Sequence, residues 1–156
     1  MTSPTAHVTG RTARVALASA LACSVLAAAG ARAAMVEIAV TGIVQAHGHV
    51  RVQLCTRDTF LKPSCPYEGS APATLGATLV KIDSVEPGEY AVQAFHDESD
   101  QGVVHQNFLG IPRERIGFSN DAPVRLRGPR FKEAAFLVGH EMARITLRVR
   151  HLFHAD

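Results

Sequence analysis

Three stretches of this chain alternate apolar and polar residues with a period of two, and no segment sustains an apolar period of 3.6. Val36, Ile38 and Val40 alternate with Glu37, Ala39 and Thr41; Val50, Val52 and Leu54 alternate with Arg51 and Gln53; Ile145, Leu147 and Val149 alternate with Arg144, Thr146 and Arg148. A period of two places every second side chain on one face of an extended strand, whereas a helix would scatter the same residues around its circumference. Residues 77–82 and 90–95 read as further strands, and 122–126 and 131–138 bring the total to about seven. Gly48 marks a hairpin connection between the first two strands. Glu86-Pro87-Gly88-Glu89 forms a tight turn in which Pro sets the first central angle and Gly the second. Residues 56–72, punctuated by Pro63, Pro66, Gly69 and Pro72, read as a connecting loop with one helical turn near Phe60. No βαβ rhythm is present. The expected fold is therefore all-β, a single antiparallel β-sandwich.

The N-terminus speaks to compartment. Arg11 and Arg14 precede an uncharged run rich in Ala, Leu and Val, and Ala31-Arg32-Ala33 offers small residues at a cut site. That is the layout of a secretory signal peptide over residues 1–33, leaving 34–156 as one β-sandwich domain in the periplasm or outside the cell. The apolar run of about 16 residues is short of the ~20 that cross a bilayer, so no transmembrane span is expected after cleavage. A lipoprotein alternative would use Cys23.

Charge narrows the partner classes. Of 16 Lys and Arg, three lie in the leader, so the remaining chain carries 13 bases against 14 acids. That balance gives no support for nucleic-acid binding. The charge is uneven: 34–112 is acidic and 113–156 basic, a division that suggests cross-strand pairs more than a polyanion-binding face at Arg125, Arg127, Arg130 and Lys132. Two cysteines remain after cleavage, Cys55 and Cys65, and in an oxidising compartment they read as a disulfide worth about 2–3 kcal/mol. Two neighbouring free thiols are the alternative.

Residues 97–122 form the long loop, with Gly102, Gly110, Pro112 and Gly117 and acids at Asp97, Glu98 and Asp100. Loops of that length in a compact domain usually carry function or are tied down by their own contacts. Asp97, Asn107, Arg113, Arg115 and Asn120 are the candidate ligand-binding residues. Phe108, Ile111, Ile116 and Phe118 are the expected apolar anchors. Asp97, Ser99 and Gln101 have the alternate spacing of a calcium loop but only one charge among them, and no acid follows at the position of a bidentate ligand. A metal other than calcium at His96, Asp97 and His105 lacks a recognised spacing, and His47 and His49 on a turn and His151 and His154 near the C-terminus read as exposed histidines. Ser119 lacks the setting of a nucleophile elbow. No catalytic residue and no cofactor are called.

The ordered segments Pro87-Gly88-Glu89-Tyr90-Ala91-Val92 with Phe95-His96-Asp97-Glu98, Asn107 to Pro112, Gly117-Phe118-Ser119-Asn120, and Gly128-Pro129 with 131–136 resemble the bacterial domain-of-unknown-function 2141 family. The resemblance implies an exported, prealbumin-like β-sandwich with no established reaction. Members carry an Asp-Glu-Asn-Gly-Asn-Gly segment after the Phe-His, similar to a calcium loop; here the positions read Asp97, Glu98, Ser99, Asp100, Gln101 and Gly102. The expectation is a non-catalytic binding or structural module of the cell envelope, its partner an envelope protein, a glycan or a small ligand. A calcium- or zinc-dependent module or a hydrolytic enzyme on the same loop is the alternative.

Overall fold

The computed structural model describes residues 33–107, 111–123, 125 and 127–152. Residues 1–32, Phe108 and His154 lie outside them. Eight strands form two sheets: β1 (Ala34–Ile43), β2 (His49–Cys55), β3 (Tyr67–Pro72), β4 (Gly76–Val85), β5 (Gly88–Asp97), β6 (Ile116–Phe118), β7 (Ala135–Val138) and β8 (Ala143–Arg148). One sheet has the order β4-β1-β8 and the other β3-β2-β5-β6, with β7 pairing the start of β5. The all-β sandwich expected from the alternation is what forms, with one exception to its antiparallel rule. Strands β1 and β8 run parallel, Ile38 opposite Ile145 and Val40 opposite Leu147.

The inward residues of both sheets make the main core. Val36, Ile38 and Val40 meet Val50, Val52, Leu54, Val92 and Leu147, all essentially without exposure. Tyr90, Val92, Leu147 and Val149 are buried as their register requires, Ile145 is half-buried against them, and Phe95 points to the opposite face of β5. A second, smaller core covers that opposite face: Cys55, Phe60, Ala91, Phe118, Ala122, Phe131 and Ala134. Phe60 meets Phe118 and Phe131 edge-on, each with ring centroids 5.8 Å apart. The Cys55–Cys65 disulfide forms and holds the segment carrying Phe60 beneath this cluster.

Four local expectations are corrected. The connection at 56–72 ends in a strand, β3, whose Gly69 lies under Val80 and Ile82, where a Cβ would come within 3.0 Å of both side chains. A glycine there is a packing requirement rather than a turn signal. Residues 131–138 begin as a helical turn, α1 (Phe131–Ala134), because Phe131 and Ala134 share one face and both enter the second core. The Glu133 carboxylate accepts the Arg130 amide at 2.6 Å and caps that turn. At 122–126 the described residues Ala122, Pro123 and Arg125 are not in a strand. The 86–89 turn shrinks to a bend at Pro87, because Gly88 and Glu89 already belong to β5; Gly88 is not at positive φ, and a Cβ there would come within 3.0 Å of the Tyr90 ring.

Glu37 illustrates the charge division. It pairs with Lys81 on β4 at 3.2 Å and with Arg144 on β8 at 3.0 Å, so an acid of the first half ties a base of the second across adjacent strands. Among the described residues, no helix is long and apolar enough to cross a membrane.

Candidate functional site

The long loop starts where β5 ends. Asp97 closes that strand with its side chain 1% exposed, and its carboxylate accepts three hydrogen bonds: from Arg51 Nε at 2.6 Å, from the Gly102 amide at 2.7 Å and from the Gln101 amide at 3.1 Å. Burial pushes its pKa up, but the Arg51 bond and the two amides outweigh this and hold it below the usual carboxylate range. Gly102 at φ +77° and Asp100 at φ +54° turn the chain around that carboxylate. His49 Nδ1 lies 2.5 Å from Asp100 Oδ1 and fixes the outside of the same turn.

Beyond Gly102 the loop folds on itself. The Asn107 amide donates to the Ile111 carbonyl at 2.9 Å, and the Ile111 amide donates to Asn107 Oδ1 at 3.0 Å. The Arg113 amide donates to the His105 carbonyl at 2.9 Å. Glu114 then takes His105 with both oxygens: Oε2 accepts the His105 amide at 2.8 Å and Oε1 lies 2.7 Å from Nδ1. The returning limb reaches β5 through the His96 amide, which donates to the Arg115 carbonyl at 3.0 Å. Residues 98–107 and 111–115 thus bond to one another as a strap, leading into β6 and the buried Phe118. Ile116 packs against the second core and Ile111 is half-buried.

Two clefts flank the strap. One, of about 580 Å³, lies between it and the β1–β2 turn and is lined by Val44, Gln45, Glu98, Ser99, Gln101, His105, Arg113, Glu114, Arg115 and His151. The other, of about 410 Å³, lies over the outer face of β2 and β5, with apolar walls from Leu61, Pro63, Phe95, Val103, Val104 and Ile116. Gln53 and Gln93 floor it. Their amides bond to each other at 2.6 Å and to the Pro63 and Lys62 carbonyls, so the floor is already satisfied within the protein.

The predicted residues divide by what they touch. Arg113 and Arg115 line the larger cleft, with Ser99 and Gln101 at its acidic turn. Asp97 and Asn107 spend their side-chain oxygens on backbone amides of the strap. Asn120, at φ +57°, donates through Nδ2 to the Ala135 carbonyl at 2.9 Å and belongs to the second core's rim. Ser119 is fully buried: its Oγ accepts the Val92 amide at 2.8 Å and donates to the Ala134 carbonyl. It is a structural peg. Among the described residues, no group of three or more His, Cys, Asp or Glu side chains converges to hold a metal ion.

Sequence reasoning missed Arg51 as the counter-charge of Asp97, because an outward arginine on a strand carries no local signal. It also passed over Val103 and Val104, whose exposure beside Phe95 is set by the strap's path. The His105–Glu114 pair is nine residues apart and becomes visible only once the loop is known to double back.

A two-sheet sandwich with a self-bonded strap beside a polar cleft defines the class as a β-sandwich module with one elaborated end. Residues 38–146, well over half of the chain, match the family described as an uncharacterized protein conserved in bacteria (DUF2141), and the chain belongs to that family. No curated protein and no solved structure matches it.

Proposed function

We propose that the protein is an exported, non-catalytic binding module of the cell envelope, with the strap formed by 98–107 and 111–115 and the larger cleft as its contact surface. The observation that supports this is the order built into the strap. A flexible loop loses conformational entropy when a partner fixes it, whereas one already held by Asp97, Asn107 and Glu114 binds without that loss. Export rests on the leader at 1–33. The non-catalytic reading is supported by the hydroxyl of Ser119 being buried among backbone groups and by Cys55 and Cys65 being tied in a disulfide. A concavity of about 580 Å³ suits a small ligand or a group protruding from a larger partner.

Blocking the cleft by bulk tests this without any assumption about charge. Ser99→Trp and Gln101→Trp, both at exposed cleft positions, should keep the wild-type melting temperature and lose the partner captured from envelope extract by the immobilised protein. Unchanged capture by both variants would place the contact surface elsewhere.

A further inference from the structure

We infer that the larger cleft receives the anionic group of its ligand, a carboxylate or a phosphate, on the guanidinium of Arg113. This rests on the cleft being the binding surface and adds the chemical class of what enters it.

Six ionisable side chains line the cleft: Glu98, His105, Arg113, Glu114, Arg115 and His151. By formal charge the acids and arginines balance, but their surroundings differ. Glu114 has only 11% of its side chain exposed and both oxygens occupied by His105. Glu98 is exposed, with Oε1 3.6 Å from Nδ1 of the fully buried His96 and Oε2 accepting from Gln45 Nε2 at 3.5 Å. Each carboxylate of the cleft therefore already has a partner within the protein, His105 for Glu114 and Gln45 for Glu98. Arg113 is the reverse case. Its side chain is exposed, and among the described residues its guanidinium makes no ion pair or hydrogen bond. Its backbone, however, is fixed by the 2.9 Å bond from its amide to His105 and by the bridge between Gln106 and Pro112. The result is an uncompensated cation on a rigid support in a concave polar site.

A guanidinium presents parallel N–H groups that match two oxygens of a carboxylate or phosphate at once, and such charge-assisted pairs are about twice as strong as neutral ones. A ligand with one such group and a polar body satisfies the cleft. A ligand with a cationic group there would meet carboxylates that already have partners in the protein and an arginine of like charge.

The test is a titration of the folded ¹⁵N-labelled protein with inorganic phosphate, with acetate and with glycerol at matched ionic strength, followed through backbone amide shifts. Saturable shifts centred on Ser99, Gln101, His105 and Arg113 are expected with an anion and not with glycerol. Tighter binding of phosphate would assign a phosphorylated ligand, and tighter binding of acetate a carboxylate. Arg113→Ala should weaken the anion about tenfold or more, Arg113→Lys should fall between because it keeps charge but loses the fork, and Arg127→Ala, an exposed arginine outside the cleft, should change nothing. Equal shifts around Arg57, Lys62 and Lys132, or affinity unaltered in Arg113→Ala, would overturn the inference. Cleft shifts from glycerol with neither anion active would also overturn it while leaving the cleft as a binding surface. Capture by the tryptophan variants judges that broader reading separately.

Discussion

Replacing Asp97 by Asn removes one charge and changes almost no volume, and the strap should fail because of it. The wild-type carboxylate accepts from Arg51 Nε at 2.6 Å, from Gly102 at 2.7 Å and from Gln101 at 3.1 Å. Asparagine keeps one acceptor oxygen and turns an NH₂ group toward donors. Hydrogen bonds to a charged group contribute about 1.5–3 kcal/mol each, but they are not additive, and the two amides regain water when the turn opens. Breaking a buried pair by altering one partner costs about 3–5 kcal/mol. Arg51 is partly exposed and can rehydrate, which places the expected loss near the bottom of that range, about 3 kcal/mol. With a urea dependence of about 1–3 kcal/mol/M, the unfolding midpoint should fall by about 1–3 M. Amide exchange at Gln101 and Gly102 should accelerate before global unfolding. The pH dependence has a definite sign. The folded pKa of Asp97 is depressed, so its stabilisation is complete above the unfolded value near 3.9 and is lost as pH falls through the folded value. Wild type and variant should therefore converge in stability as pH drops below about 4. A loss under about 1 kcal/mol at pH 7 with unchanged exchange at Gly102 would show that Asp97 does not hold the strap.

Leu147→Ala, at a position with no exposure between the sheets, should cost about 2–5 kcal/mol in a denaturant titration; under about 0.5 would contradict the β1–β8 register. Phe118→Ala should cost about 3 kcal/mol or more, because Phe60 loses its edge-on partner. Millimolar calcium should leave the melting temperature of the folded protein unchanged, since Asp97 is occupied by Arg51 and two amides; a clear rise would reveal an ion held by the native state. Intact mass of protein recovered from the periplasm should match a start at Ala34 or Met35 with no alkylatable thiol, and retention of residues 1–33 would refute the export reading.

The strands with strict alternation were legible because one of their faces is buried and the other wet, which is the condition under which sequence reports structure directly. Strand β5 is half an exception: Tyr90, Ala91 and Val92 are all buried because the second core covers its outer face. That second core explains the errors nearby. Phe131 and Ala134 satisfy it through a helical turn, although the run 131–138 looks like a strand, and β3 was hidden because Gly69 serves close packing and Pro72 ends an edge strand. Of the candidate site, the location was legible from length and composition. The roles were not: whether Asn107 binds a ligand or the Ile111 amide depends on a chain reversal that no local pattern encodes.

The parallel pairing of β1 with β8 has a kinetic consequence. Glu37 and Arg144 stand 107 residues apart yet are bonded neighbours. The central strand of the three-stranded sheet therefore lacks one flank until nearly all of the described chain has been made. Contacts of such long range are slow to form, because the closure entropy of the intervening chain is lost before any pairing energy is gained. A nascent chain emerging from the ribosome stays open along one side of β1 for most of its synthesis.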